Sequence, residues 1–231
     1  DYPRNRLDKE FPGINANDIV LFGSFYSLNS NIRKKLIVFL RNAKKKGALM
    51  GHFTYSKRTM LPLLALVVIS AALFAGTLKG SFIWDDHAVI TEGIHIKDLR
   101  NIPYFFTPSY WKEDPSKTKG QYRPVTKVTL AIDHFFWKMD PAGYHLSNVV
   151  FHVVNVVLVY LLVSLLTGGA PPEKHRRWYS GFLGLPFLTA LIFAAHPVHT
   201  ETINWIKSRN DLLASIFFLS SLILPVNWSK Y

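Results

Sequence analysis

Four short clusters hold the residues that could do chemistry. Trp84-Asp85-Asp86-His87 places two adjacent carboxylates just beyond an uncharged run that ends at Leu78, and Tyr122-Arg123-Pro124 sets a guanidinium in a proline turn. His196-Pro197-Val198-His199-Thr200-Glu201 spaces two imidazoles and a carboxylate, and Lys207, Arg209 and Asp211 follow closely. A charged side chain beside a bilayer is costly unless hydrated or paired, so Asp85 and Asp86 are either a solvated helix end or a functional pair. Arg123 suits a bidentate grip on a phosphate, or equally an anchor on lipid headgroups. His196, His199 and Glu201 are donors that zinc accepts. Against zinc, Pro197 interrupts helical continuation, the order His-Glu-x-x-His is absent and spacing fixes no further ligand. Structural or substrate-contact roles are expected for them and no metal site is assigned; a divalent metal stays open as a cofactor.

These clusters need elements to position them, and hydropathy supplies candidates. Of the 231 residues 49% are hydrophobic and 18% charged, which is apolar for an ordinary globular domain. Uncharged stretches at about 59–78, 146–166, 178–195 and 212–225 approach the ~20 residues that cross a ~30 Å hydrocarbon core. The net charge is +12, concentrated where residues 1–60 carry twelve basic against four acidic side chains. Basic residues favour the cytoplasmic side, which places the near-neutral loop 79–143 and the loop 196–211 outside and Lys174-His175-Arg176-Arg177 inside. No basic face is interleaved with aromatics that could stack bases, so nucleic acid is not an expected partner. The absence of cysteine excludes disulfides and thiolate metal sites.

The long external loop is too rich in aromatic and β-branched residues for disorder. Within it Val128, Ile132, Phe135 and Phe136 share a helical face, as in an interfacial amphipathic helix. In the second span His145, Asn148, His152 and Asn155 fall at i, i+3, i+7 and i+10, one face that should turn from lipid. Interhelical hydrogen bonding is expected for the two Asn residues. For the two His residues, packing and function stay open.

Residues 1–50 read differently: Asp18 to Ser24 forms an apolar run, and Ile32, Leu36, Phe39, Leu40 and Ala43 recur at helical spacing before Ala48-Leu49-Met50. In its wording Asn17-Asp18 through Leu28-Asn29, this β-α-β-like piece resembles a segment of the ribokinase-like sugar kinases. The Gly-Ala-Gly-Asp motif of that family is absent, so no kinase activity is implied, and a fusion scar joined near Met50 to Met60 is expected. The fold class expected is an all-α polytopic membrane protein of about four spans over 51–231, with a small α/β N-terminal fragment.

Taken in order from about Leu61 to Leu224, Trp84-Asp85-Asp86, Tyr122-Arg123-Pro124, Phe151-His152-Val153-Val154-Asn155, His196 to Glu201 and Lys207 to Leu213 resemble one family. They are similar to the N-terminal membrane part of the transmembrane and tetratricopeptide-repeat O-mannosyltransferases, within the GT-C class of glycosyltransferases. That resemblance implies transfer of a sugar from a polyprenyl-phosphate donor to a protein or glycan acceptor on the non-cytoplasmic side of a bacterial inner membrane or the endoplasmic reticulum. It implies a catalytic base at Asp85 or Asp86, a cation for the donor phosphate at Arg123 or Arg209, and substrate contacts from Tyr122, His196, His199 and Glu201. Members have more spans than four and continue into helical repeats, so the chain is expected to be a piece of a longer protein. The alternative class is a non-enzymatic transporter or assembly-factor fragment, with the polar face of the second span lining a pathway.

Overall fold

The computed structural model describes residues 57–113, 122–167, 182 and 184–228, which are mostly helical and contain no strand. The α/β fragment expected at 1–50 lies outside the described residues. Helix α1 (Lys57–Phe74) runs on through a 3-10 turn, Ala75–Lys79, to Gly80. Short turns carry the chain to α2 (Pro108–Glu113), and α3 (Pro124–Trp137) begins where Pro124 can occupy the first turn without losing a helical hydrogen bond. Helix α4 (Pro141–Thr167) repeats the device: Pro141 opens it, and the Asp140 carboxylate accepts the Ala142 N–H at 3.0 Å.

Helix α5 (Leu185–Ala195) stops ahead of Pro197, which leaves His196 extended at φ −69°, ψ 127°. The short α6 (His199–Asn204) and a 3-10 turn at Ile206–Ser208 lead into α7 (Arg209–Trp228).

Among the described residues two helices, Met60–Lys79 and Pro141–Thr167, are long and apolar enough to cross a membrane. Exposure supports that reading for α1, where Leu64 and Val68 stand 60% and 59% exposed, an apolar face that lipid would cover. Of the other stretches expected to span, Leu185–Ala195 is an apolar helix of eleven residues and the fourth lies within the 20-residue α7.

Among the described residues two larger cores stand out, with smaller clusters at Leu165 and at Val149, Ile203 and Leu212. In the first, Leu66 of α1, Val156 and Tyr160 of α4, and Phe187, Ala190 and Ala194 of α5 bury each other. The two alanines are fully inaccessible, and such small residues let neighbouring helix backbones approach. In the second, Val89, Ile90, Ile96, Phe105 and Tyr110 pack on Leu130 and Ala131 of α3, Tyr144 of α4 and Ile206. The described residues between 79 and 143 therefore form a folded cap beside the helices. On α3, Ile132, Phe135 and Phe136 are exposed, but Val128 packs into the cap, so the outward apolar face is narrower than the spacing suggests.

The polar face of α4 turns inward as its spacing requires. His145, Asn148, His152 and Asn155 are at most 2% exposed. Asn148 Nδ2 donates to the Ile203 carbonyl at 3.2 Å, Asn155 Nδ2 donates to the Leu212 carbonyl at 3.0 Å, and His152 Nε2 lies 3.3 Å from the Ala194 carbonyl. Asn148 satisfies a carbonyl at the C-terminal end of α6, where the helical ladder leaves the last carbonyls unpaired, and Asn155 adds a second bond to a carbonyl in the first turn of α7.

Candidate active site

The site begins with a strained turn. Trp84 has φ 45°, in the left-handed region that a bulky side chain rarely occupies. Asp86 N donates to the Ile83 carbonyl at 2.9 Å across that turn, and a π-turn closed by Glu92 N and the His87 carbonyl follows. The consequence is that two neighbouring carboxylates occupy opposite environments. The Asp86 side chain is fully inaccessible, whereas the Asp85 side chain is 53% exposed.

Both acids meet the same lysine. Asp86 Oδ1 accepts the main-chain N–H of Lys207 at 2.9 Å, and Asp86 Oδ2 accepts that of Ile83 at 3.3 Å. The Lys207 ammonium forms an ion pair with Asp85 Oδ2. Beside them the Trp84 and Trp205 rings stand edge to face at 5.7 Å, and the Lys207 Nζ lies 5.8 Å over Trp205. Burial pushes the Asp86 carboxyl above its ordinary value of 3.8, while the N–H groups of Ile83, Lys207 and Ile206 and the nearby His87 pull it back.

Arg209 sits behind this pair and is wholly buried. Its Nε donates to Asn148 Oδ1 at 2.8 Å, its Nη2 to the Tyr144 carbonyl at 3.0 Å, and its Nη1 to Thr129 Oγ1 at 3.4 Å. Nη1 also stands 2.6 Å from Asp133 Oδ2, close enough to pair charges but without the alignment of a hydrogen bond. The other Asp133 oxygen accepts the Ser147 hydroxyl at 2.6 Å. Burial raises the Asp133 pKa, and Arg209 and Ser147 oppose that rise. Arg209 thereby joins α3, α4 and α7.

The remaining expected residues are placed as follows. Tyr122 is exposed and its hydroxyl donates to the Phe106 carbonyl at 3.2 Å, which docks the Tyr122-Arg123-Pro124 turn onto the cap; Arg123 is half-buried. The His199 ring packs 4.4 Å from Phe193 and 5.1 Å from His152, with His196 exposed 6.3 Å away and Glu201 exposed. Burial lowers the His199 pKa, and the His196 charge adds to that. Among the described residues no cluster of three His, Asp or Glu side chains could hold a metal ion.

Spacing alone does not single out Asp133 as the partner of Arg209, whereas Lys207 does meet Asp85 and Asp86 as its position beside Arg209 suggests. A carboxylate on the same stripe as Leu130 and Ala131 was the available signal for Asp133, since an acid on a buried face requires a cation.

No family model matches the chain, and no solved structure matches it. Among curated proteins, it is 29% identical over 188 residues to the Caenorhabditis elegans protein named protein O-mannosyl-transferase F38B6.6, covering 80% of this chain and 25% of that protein. It is 31% identical over 163 residues to the human protein O-mannosyl-transferase TMTC4, covering 68% of this chain and 22% of that protein. A third relative, the mouse protein O-mannosyl-transferase TMTC3, is 29% identical over 160 residues, 68% of this chain and 16% of that protein. The chain therefore spans a quarter or less of the length of these relatives. Over that part, the chain is a homologue of the protein O-mannosyl-transferases that its ordered motifs resemble.

Proposed function

We propose that the chain is the catalytic-loop part of a membrane glycosyltransferase, which moves a sugar, mannose on the relatives' naming, from a polyprenyl-phosphate donor to a hydroxyl of a protein or glycan acceptor. The observation that carries this reading is the asymmetry of the acidic pair. Asp86 is held by two main-chain N–H groups and locks the loop in place, leaving Asp85 as the carboxylate open to an incoming acceptor. Asp85 takes the acceptor proton as the hydroxyl oxygen attacks the anomeric carbon. The bond from that carbon to the donor phosphate breaks, and its electron pair leaves on the phosphate oxygen. Arg123 is the cation proposed to meet that charge; Arg209, enclosed by Asp133, Asn148 and Tyr144, holds the scaffold behind the acids.

In this reading the stretches 178–195, which ends in α5, and 212–225, within α7, join α1 and α4 as spans, and the cap with both acids faces the non-cytoplasmic side of a bacterial inner membrane or the endoplasmic reticulum. Tyr122, His196, His199 and Glu201 border the acceptor path. The transporter reading is weaker because the polar face of α4, which a pathway would need open, is bonded to the 194–212 segment.

The test is Asp85→Asn in the longer parent protein, assayed for mannose transfer from polyprenyl-phosphate mannose. Loss of about a hundredfold or more in rate, with normal expression and thermal unfolding, is expected for removal of a general base. Transfer at the wild-type rate would refute the assignment.

A further inference from the structure

A groove of about 640 Å³ opens beside the acidic turn, between the end of α1, residues 76–83, the first turns of α4 and α6. That volume lies within the range of small-ligand sites. Its walls hold polar atoms that nothing in the protein satisfies. Thr77 Oγ1, both ring nitrogens of His145 and Asn204 Oδ1 are buried without a hydrogen-bond partner. The Ser81 main chain lies beside the His145 ring, but too poorly aligned for a hydrogen bond.

Buried polar atoms nearly always find partners, so three such side chains from three separate elements in one groove point to a ligand. The glycine there fits the same purpose. A Cβ at Gly80 would stand 2.7 Å from His145 Nε2 and 2.9 Å from the Thr77 carbonyl, so only glycine lets the backbone pass this close to the ring.

The donor set defines the ligand. Asn204 Oδ1 only accepts, Thr77 both donates and accepts, and a neutral imidazole does one at each nitrogen. An inorganic anion could satisfy the donors but would be repelled by Asn204 Oδ1. A cation would find no carboxylate among the residues lining the groove. Hydroxyl groups, which donate and accept at one atom, match all three. Phe74 and Ile83 add apolar surface for the C–H faces of a ring.

We propose that this groove is a sugar subsite that holds a hexopyranose ring through its hydroxyls, with Thr77, His145 and Asn204 as the contacts. The assignment rests on the proposed glycosyl transfer for the identity of the ring.

The test uses the purified full chain in lipid nanodiscs, methyl α-D-mannopyranoside as the probe, and saturation-transfer NMR. Binding is expected, weakened roughly threefold to tenfold by Thr77→Val or Asn204→Leu, the usual effect of removing one hydrogen bond. Gly80→Ala should also weaken it by displacing the His145 ring. Thermal unfolding of each variant separates lost binding from lost folding. Absence of probe binding to the wild-type chain, or unchanged binding in all folded variants, overturns the subsite. So does preferential binding of inorganic phosphate that Lys79→Gln abolishes. Sugar transfer by the parent together with unchanged binding in the variants refutes the subsite alone. Probe binding as expected, with no transfer by the parent, supports the subsite and refutes the glycosyl-transfer reading.

Discussion

Asp86 accepts the main-chain N–H of Lys207 at 2.9 Å, across 121 residues of sequence, and so fastens the turn after α1 to the turn before α7. The same lysine pairs with Asp85 through its side chain. One residue therefore anchors the buried acid and faces the exposed one. Any change that frees the Lys207 backbone should disturb both.

Asp86→Asn is expected to destabilise the chain by about 1–3 kcal/mol, because an amide replaces one oxygen of a buried acceptor and leaves a main-chain donor unmet. Thermal unfolding in detergent measures this. Wild-type stability would show that water, not Asp86, satisfies these N–H groups.

The raised pKa of Asp86 has a definite sign in stability. Between its ordinary value of 3.8 and its raised folded value, the folded chain binds more protons than the unfolded one, so unfolding free energy falls as pH rises through that window. Asp133 contributes in the same direction. Subtracting the pH dependence of Asp86→Asn from that of the wild type isolates the Asp86 part, which should decline toward higher pH. A difference of opposite slope would mean that the N–H donors outweigh burial.

Arg209→Met leaves Asp133 as an uncompensated buried charge and should cost about 3–5 kcal/mol. Arg209→Lys should recover only part of it, since a single ammonium cannot reach Asn148, Tyr144 and Asp133 together. The double variant Arg209→Met with Asp133→Leu should be more stable than Arg209→Met alone. Strict additivity of the two substitutions would deny the coupling.

Gly143→Ala tests how closely α3 and α4 approach. A Cβ there would lie 2.1 Å from Trp137 Cγ, which forces the indole out of place and should cost about 1–3 kcal/mol. Adding Trp137→Leu should restore most of the loss; failure to do so would place the strain in the backbone instead.

The four polar residues of α4 were legible in the sequence because helical spacing is local: His145, Asn148, His152 and Asn155 share a face wherever that helix packs. The proline turn ahead of α3 and the break at Pro197 were legible for the same reason. The apolar runs of α1 and α4 declared themselves by composition, and the motif order led to the relatives.

The roles of the two acids were not legible. Asp85 and Asp86 are adjacent and identical in type, and only the left-handed turn at Trp84 sends one inward to main-chain N–H groups and the other outward to a lysine ammonium. Arg209 likewise reads as a cation at a helix end until the packing of α3 against α4 supplies its buried partner, Asp133. Sequence thus determined which residues share a helix face, because that depends on neighbours a few positions apart. The tertiary structure decided which charges meet and which side chains are left without partners, because those contacts join segments up to 122 residues apart.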